Sequence, residues 1–323
     1  MKINKKTISS IDKSLKQIIP KSFHKYFTPF KKSLLKFSSF KKLTGIWFIT
    51  WQCNFKCPYC WQWEEPKVYR KKYNISAKDW LIGWEKLSNQ FDEIVLGISG
   101  GEPFAVDGFI EMLNDFPDNI KYDITSNLSF NCDEFLSYDK ILRNCSGVVC
   151  SFHPSNPSNS DNYINEFFKK VNKLSILPNT RVNFVAAPPN LKYYPIIKDF
   201  CEKHKIPLHV DRYVPLKRGG LEFTEQERKL AESIFSENRK MQNINKKTHK
   251  VLCSAGEFHI VVFPDGNVWP CLKKAELKED MVGNLFSANF KLNEKWLECS
   301  YYPLCAGCDF DNVKIKKLSD QND

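Results

Sequence analysis

From Leu43 to Tyr213, short apolar or β-rich runs alternate with helical stretches, and this alternation constrains the fold more than any other feature of the chain. The runs are Gly45–Trp51, Ile94–Ile98, Ile120–Thr125, Gly147–Phe152, Val182–Ala187 and Leu208–Asp211. One helical stretch opens on a capping box, Ser76 with Asp79, and continues through Trp80 and Trp84. The others are Phe109–Phe116, Glu134–Leu142, Tyr163–Leu174 and Tyr194–His204. Six strand–helix units in a row predict an α/β fold with a parallel sheet, in the form of a partial (β/α)6 TIM barrel over residues 44–213. In such folds the chemistry gathers at the C-terminal ends of the strands.

The flanks differ from this body. Residues 1–43 form a basic N-terminal arm in which Ile11, Leu15, Ile18, Phe23, Phe27, Phe30, Leu34 and Phe37 recur at helical spacing, broken by Pro20 and Pro29. Residues 1–42 hold twelve lysines and one acidic residue, Asp12, so the arm carries the chain's entire net charge of +11. The rest is neutral, and no nucleic-acid partner is expected for it. A basic amphipathic arm either packs on the body or docks an anionic membrane or an acidic partner. No membrane span or secretory h-region stands out, so a cytoplasmic protein is expected, peripheral at the membrane if the arm binds one. Residues 214–252 read as a linking segment, where Thr224 and Glu227 cap a polar helix running to about Asn243. Residues 253–323 are cysteine-rich, with a hairpin-like turn at Pro264-Asp265-Gly266, and read as a small module of their own.

Twelve cysteines in a reducing compartment point to metal ligands or catalytic groups rather than disulfides. Cys53, Cys57 and Cys60 fall within eight residues, on the loop that follows the first strand. Three thiolates so placed either hold three irons of a four-iron cluster, leaving one iron open, or form part of a zinc site completed from elsewhere, or are free. Cys132, Cys145, Cys150 and Cys201 are scattered through the body and read as buried structural thiols.

The pattern Cys53-x3-Cys57-x2-Cys60, with Tyr59 before the third cysteine, resembles the signature of the radical S-adenosylmethionine superfamily. Ser99-Gly100-Gly101-Glu102-Pro103, at the end of the second strand, resembles that superfamily's Gly-Gly-Glu-Pro segment. Glycines there let the backbone approach a ligand closely. The resemblance implies that Cys53, Cys57 and Cys60 hold a 4Fe-4S cluster. It implies that Tyr59, Gly100, Gly101, Glu102 and Pro103 border S-adenosylmethionine, with Ser126, Asn127 and Ser151 at the third and fourth strand ends. The chemistry implied is reductive cleavage of S-adenosylmethionine to a 5′-deoxyadenosyl radical that abstracts hydrogen from a substrate. An electron donor of flavodoxin or ferredoxin type is implied as partner. His153 points to the same rim and reads as a structural hydrogen-bonder.

In the C-terminal module, Cys253 is followed by twelve residues, Gly266, four residues and Cys271, then Cys299, Cys305 and Cys308. This resembles the twitch/SPASM extension that carries an auxiliary cluster. It implies a second 4Fe-4S cluster on Cys253, Cys271, Cys305 and Cys308, with Cys299 as an alternative ligand; a structural zinc knot is the competing reading.

The function expected is an oxidoreductase-type enzyme acting on a sugar- or aminocyclitol-like small molecule, the auxiliary cluster accepting an electron. The alternative is a maturase that modifies a side chain of a precursor peptide. A non-enzymatic iron–sulfur carrier would have no use for the Gly100–Glu102 segment. Substrate contacts are expected at the sixth strand's end, from His209, Asp211, Arg212 and Tyr213.

Overall fold

Each of the six apolar runs forms a strand. The computed structural model describes residues 40–63, 67, 71–157, 159–215, 220–238, 249–302 and 313–317. The strands are β1 (Lys42–Thr50), β2 (Glu93–Gly100), β3 (Ile120–Ser126), β4 (Cys145–Phe152), β5 (Arg181–Ala186) and β6 (Leu208–Arg212). They lie side by side in chain order, and β2 through β6 pair in parallel. In β1, Leu43, Gly45, Trp47 and Ile49 are buried while the residues between them are half-buried, the period of two expected when the two faces of a strand meet different surroundings. The buried set joins a core built with the helices. The other face is more polar. Register places Asp123, Ser151, Arg181, Asn183, His209 and Asp211 together on it, and Arg181 Nη2 lies 3.5 Å from Asp123 Oδ2.

The helices are α1 (Ala77–Ser88), α2 (Phe109–Asp115), α3 (Cys132–Leu136), α4 (Asp139–Asn144), α5 (Tyr163–Leu174), α6 (Tyr194–His204) and α7 (Glu225–Asn238). The Ser76 and Asp79 box caps α1 as expected, with both reciprocal bonds formed. Trp80, Gly83, Trp84 and Leu87 recur at helical spacing and are buried. The Trp47 ring lies 5.0 Å from Trp80 and 5.3 Å from Trp84, pinning α1 against β1. The stretch expected as one helix over Glu134–Leu142 is two. Ser137 Oγ donates to Glu134 O at 2.7 Å and Tyr138 is extended, so a local serine bond ends α3 before α4 begins.

The C-terminal residues, expected as a module of their own, divide between two sheets. Strands β8 (His259–Val262), β9 (Asn267–Trp269) and β10 (Gly283–Asn284) extend the main sheet, whose order is β10-β9-β8-β1-β2-β3-β4-β5-β6. β8 runs parallel to β1, and β8 and β9 form the hairpin read at Pro264–Gly266. A short helix, α8 (Leu272–Leu277), follows. Strands β7 (His249–Cys253), β11 (Leu297–Tyr302) and β12 (Ile315–Lys317) make a separate antiparallel sheet in the order β11-β7-β12. Among the described residues no helix is long and apolar enough to cross a membrane. The amphipathic arm up to residue 39, the end of the helix expected to about Asn243, Cys305 and Cys308 lie outside the described residues.

Candidate active site

The two sequence motifs are joined by backbone. Gly101 N donates to Thr50 O at 2.7 Å and Glu102 N donates to Gln52 O at 2.8 Å, tying the end of β2 to the segment that leads into Cys53. A Cβ on Gly100, whose φ is +134°, would stand 2.2 Å from Thr50 O, and one on Gly101 would stand 2.0 Å from Gln52 O. These glycines make room for the chain itself, at the entrance to the cysteine loop, and both line the cavity described below.

Glu102 ties this crossing to the next strand end. Its carboxylate accepts from Ser126 Oγ at 2.8 Å, Asn127 N at 2.7 Å and Phe104 N at 3.2 Å. It is 1% exposed. Burial pushes the carboxyl up to about 7, against the pull of those three donors. A raised carboxyl pKa favours the protonated native state. Its contribution to stability is therefore full below the unfolded value near 4.5 and is lost as pH rises through about 7. A Glu102→Gln variant should lack this slope. Relative to the variant, the apo wild type should lose on the order of 3 kcal/mol between pH 4.5 and pH 7.5. Urea unfolding of both at the two pH values measures it, and parallel pH profiles would refute it.

The cysteine loop is held from several sides. Lys56 N donates to Asn156 Oδ1 at 3.0 Å, and Asn156 is 3% exposed. Tyr59 OH lies 2.8 Å from His153 Nδ1, and burial pulls that imidazole down to about 4, so it serves as a neutral partner. Asn127 Nδ2 donates to Asn54 Oδ1 at 2.9 Å. Trp63 Nε1 donates to Cys57 O at 2.9 Å, folding the turn after Cys60 back over the loop. Burial, then the neighbouring Cys60 and Cys53, push the Cys57 thiol up to about 12. Thiols that raise one another in this way ionise together only beside a strong positive charge.

This loop walls a cavity of about 390 Å³ at the strand ends. The cavity brings together Cys53, Cys57, Cys60, Tyr59, Gly100, Gly101, Glu102, Ser126, Asn127 and Ser151. Pro103 lies behind the wall, starting a 3-10 turn over Pro103–Ala105. Of the four residues expected at the end of β6, Asp211, Arg212 and Tyr213 line the cavity. His209 is not in the wall and touches it through Asp211, its Nε2 lying 3.2 Å from Asp211 Oδ1. Asn183 Nδ2 donates to Asp211 Oδ2 at 2.9 Å, while Asn183 Oδ1 is buried without a hydrogen-bond partner among the described residues. Tyr213 OH accepts from Leu221 N at 2.7 Å, and the Arg212 guanidinium lies over the Phe235 ring at 4.9 Å.

Asn54, Asn156, Asn183 and Gln62 carry no signal of periodicity and are not among the residues expected from sequence. Gln62 is 1% exposed and lines the cavity, and its position two residues after Cys60 was the one available hint.

In the second cysteine set, Cys253 ends β7, and Cys271 precedes α8. Register pairs Leu297 with Cys253 and Cys299 with Val251, so Cys253 and Cys299 share one face of the small sheet. Among the described residues no three His, Cys, Asp or Glu side chains are grouped as ligands of a single metal ion.

The fold is shared with solved structures that have S-adenosylmethionine bound. SuiB from Streptococcus suis, solved with S-adenosylmethionine bound, matches with a TM-score of 0.53 at 16% identity, over 87% of this chain and 74% of that one. Native anSMEcpe, with S-adenosylmethionine bound, matches with a TM-score of 0.50 at 16% identity, over 76% of this chain and 78% of that one. Among curated proteins, a probable GTP 3′,8-cyclase from Methanocaldococcus jannaschii is 27% identical over 185 residues, 52% of this chain. The chain spans 25% and 58% of the lengths of the curated relatives it matches. No family model matches.

Proposed function

We propose that the chain is a radical S-adenosylmethionine enzyme in which Cys53, Cys57 and Cys60 hold a 4Fe-4S cluster. The observation that carries this reading is the backbone crossing of the cysteine loop with Gly100–Glu102 on the wall of one cavity. The donor set suits the group: three thiols on one loop, with a buried amide nitrogen of Gln62 beside them that has no partner among the described residues. When bound, the cluster supplies the electron that splits S-adenosylmethionine into methionine and a hydrogen-abstracting 5′-deoxyadenosyl radical.

The chain's own residues position and enclose. Tyr59 and His153 fix the loop between Cys57 and Cys60. Glu102 locks the ends of β2 and β3. Ser126, Asn127 and Ser151 offer polar groups at the strand ends. We assign the substrate to the side of Asn183 and Asp211, where Asn183 Oδ1 has no donor among the described residues. That wall suits a small molecule presenting hydroxyl or amine donors, such as a sugar or aminocyclitol. A second reading, a peptide maturase, is favoured by the likeness to SuiB, which was also solved with its precursor peptide SuiA. An auxiliary cluster on Cys253, Cys271, Cys305 and Cys308, or with Cys299, is part of the proposal.

The test is direct. Anaerobically reconstituted, dithionite-reduced protein should release 5′-deoxyadenosine and methionine slowly without substrate. A fully loaded, reduced sample that releases neither would overturn the reading. Deuterium carried into 5′-deoxyadenosine from labelled polyols, or from a labelled peptide, separates the two substrate classes.

A further inference from the structure

The turn after the third cysteine buries a polar group that the loop's geometry leaves unused. Trp61–Trp63 form a 3-10 turn, held by Trp63 N donating to Cys60 O at 3.1 Å. The turn exposes Trp61, which is 46% accessible, and buries Gln62, which is 1% accessible. Gln62 Oε1 accepts from the Cys60 thiol at 3.9 Å. Its Nε2 is buried with no hydrogen-bond partner among the described residues. Leaving an amide donor buried and unpaired costs about 1–3 kcal/mol, so the group calls for an acceptor.

Resting on the reading of Cys60 as a cluster ligand, we infer that Gln62 Nε2 donates a hydrogen bond to the Cys60 sulfur and so raises the reduction potential of the cluster. A ligating cysteine has lost its proton and can no longer donate to Oε1. The amide oxygen and the thiolate would then face each other as two acceptors. A half-turn of the amide about its last side-chain torsion removes that repulsion and gives Nε2 the acceptor it lacks. The other two cysteines of the loop have donors of their own: Phe55 N approaches Cys53 at 3.4 Å and Asn127 Nδ2 at 3.9 Å, and the Tyr59 hydroxyl bonds to Cys57. Hydrogen bonds to cluster sulfurs stabilise the more negative, reduced state and are among the levers that set a cluster's potential. Gln62 is therefore a positioning residue, acting on electron uptake through Cys60.

The experiment is an EPR-monitored redox titration of reconstituted wild type, Gln62→Leu and Gln62→Glu, each at matched iron content. The midpoint should fall from wild type to Q62L, where the donor is lost, and further to Q62E, where an acceptor replaces it. Coincident midpoints in loaded protein would overturn the inference while leaving the enzyme class intact. A wild type that holds no cluster would overturn both. Should the variants fail to load, wild type labelled with 15N in its glutamine side chains answers alone. Pulsed EPR of the reduced cluster should then reveal a 15N coupling, and its absence would sink the idea.

Discussion

Replacing Cys53, Cys57 and Cys60 together with alanine should leave a folded chain that holds about half of the roughly eight irons expected for two four-iron clusters. It should release no 5′-deoxyadenosine. Folding should survive because Cys53 and Cys60 are only half-buried and none of the three thiols belongs to the main core under the helices. The loop keeps its other ties, from Asn156 to Lys56, His153 to Tyr59 and Trp63 to Cys57. Iron analysis and product release read the two effects separately. Iron falling to zero would mean that no second cluster exists. Iron staying at the wild-type level would mean that this loop is not a ligand.

Gly101→Ala should be strongly destabilising although it alters no charge. The added Cβ would stand 2.0 Å from Gln52 O, a backbone atom that cannot swing away. Relief requires parting β2's end from the segment after β1, with loss of the 2.7 Å and 2.8 Å bonds that join them. Overpacking and two lost hydrogen bonds together suggest about 3–5 kcal/mol. Because the displaced segment leads into Cys53, cluster retention should fall as well. Gly97→Ala is the control, since its Cβ would meet Asp123 Oδ1 at 3.4 Å and Gly45 O at 4.0 Å, both ordinary contacts. Denaturant midpoints of the apo proteins compare the two, and equal midpoints would refute the account.

How much of this could be read from the chain alone follows from what each element depends on. The strands were legible because a half-buried strand writes its period into sequence, as Leu43, Trp47 and Ile49 do in β1. The limits of α5 and α6 were legible too, since apolar periodicity begins and ends with them. The break between α3 and α4 rests on one hydroxyl, that of Ser137, and has no periodic trace. The cysteine loop and the Gly100–Glu102 segment were visible as motifs. Their mutual hydrogen bonds, and the true crowding around the glycines, exist only once β1 and β2 are neighbours. Asn156 lies 100 residues from Lys56, and His153 lies 94 from Tyr59, so no local pattern could announce either contact. The apolar run at Val261 and Val262 looks the same whether it ends in a separate module or in the main sheet. Only pairing decides, and it pairs with Ile46 and Trp47.

That last pairing sets the order in which the molecule can be built. Thr44 Oγ1 meets His259 Nδ1 at 2.9 Å across 215 residues of chain. During synthesis β2 to β6 emerge in succession, each able to dock on its predecessor. The outer edge of β1 must wait for β8, and until then it offers unpaired backbone groups to any passing strand. Contacts so distant in sequence close late and slowly. The loop bearing Cys53 hangs from the end of this half-finished strand. Metal loading therefore belongs after β8 has paired, when the strand that carries the loop has gained its second neighbour.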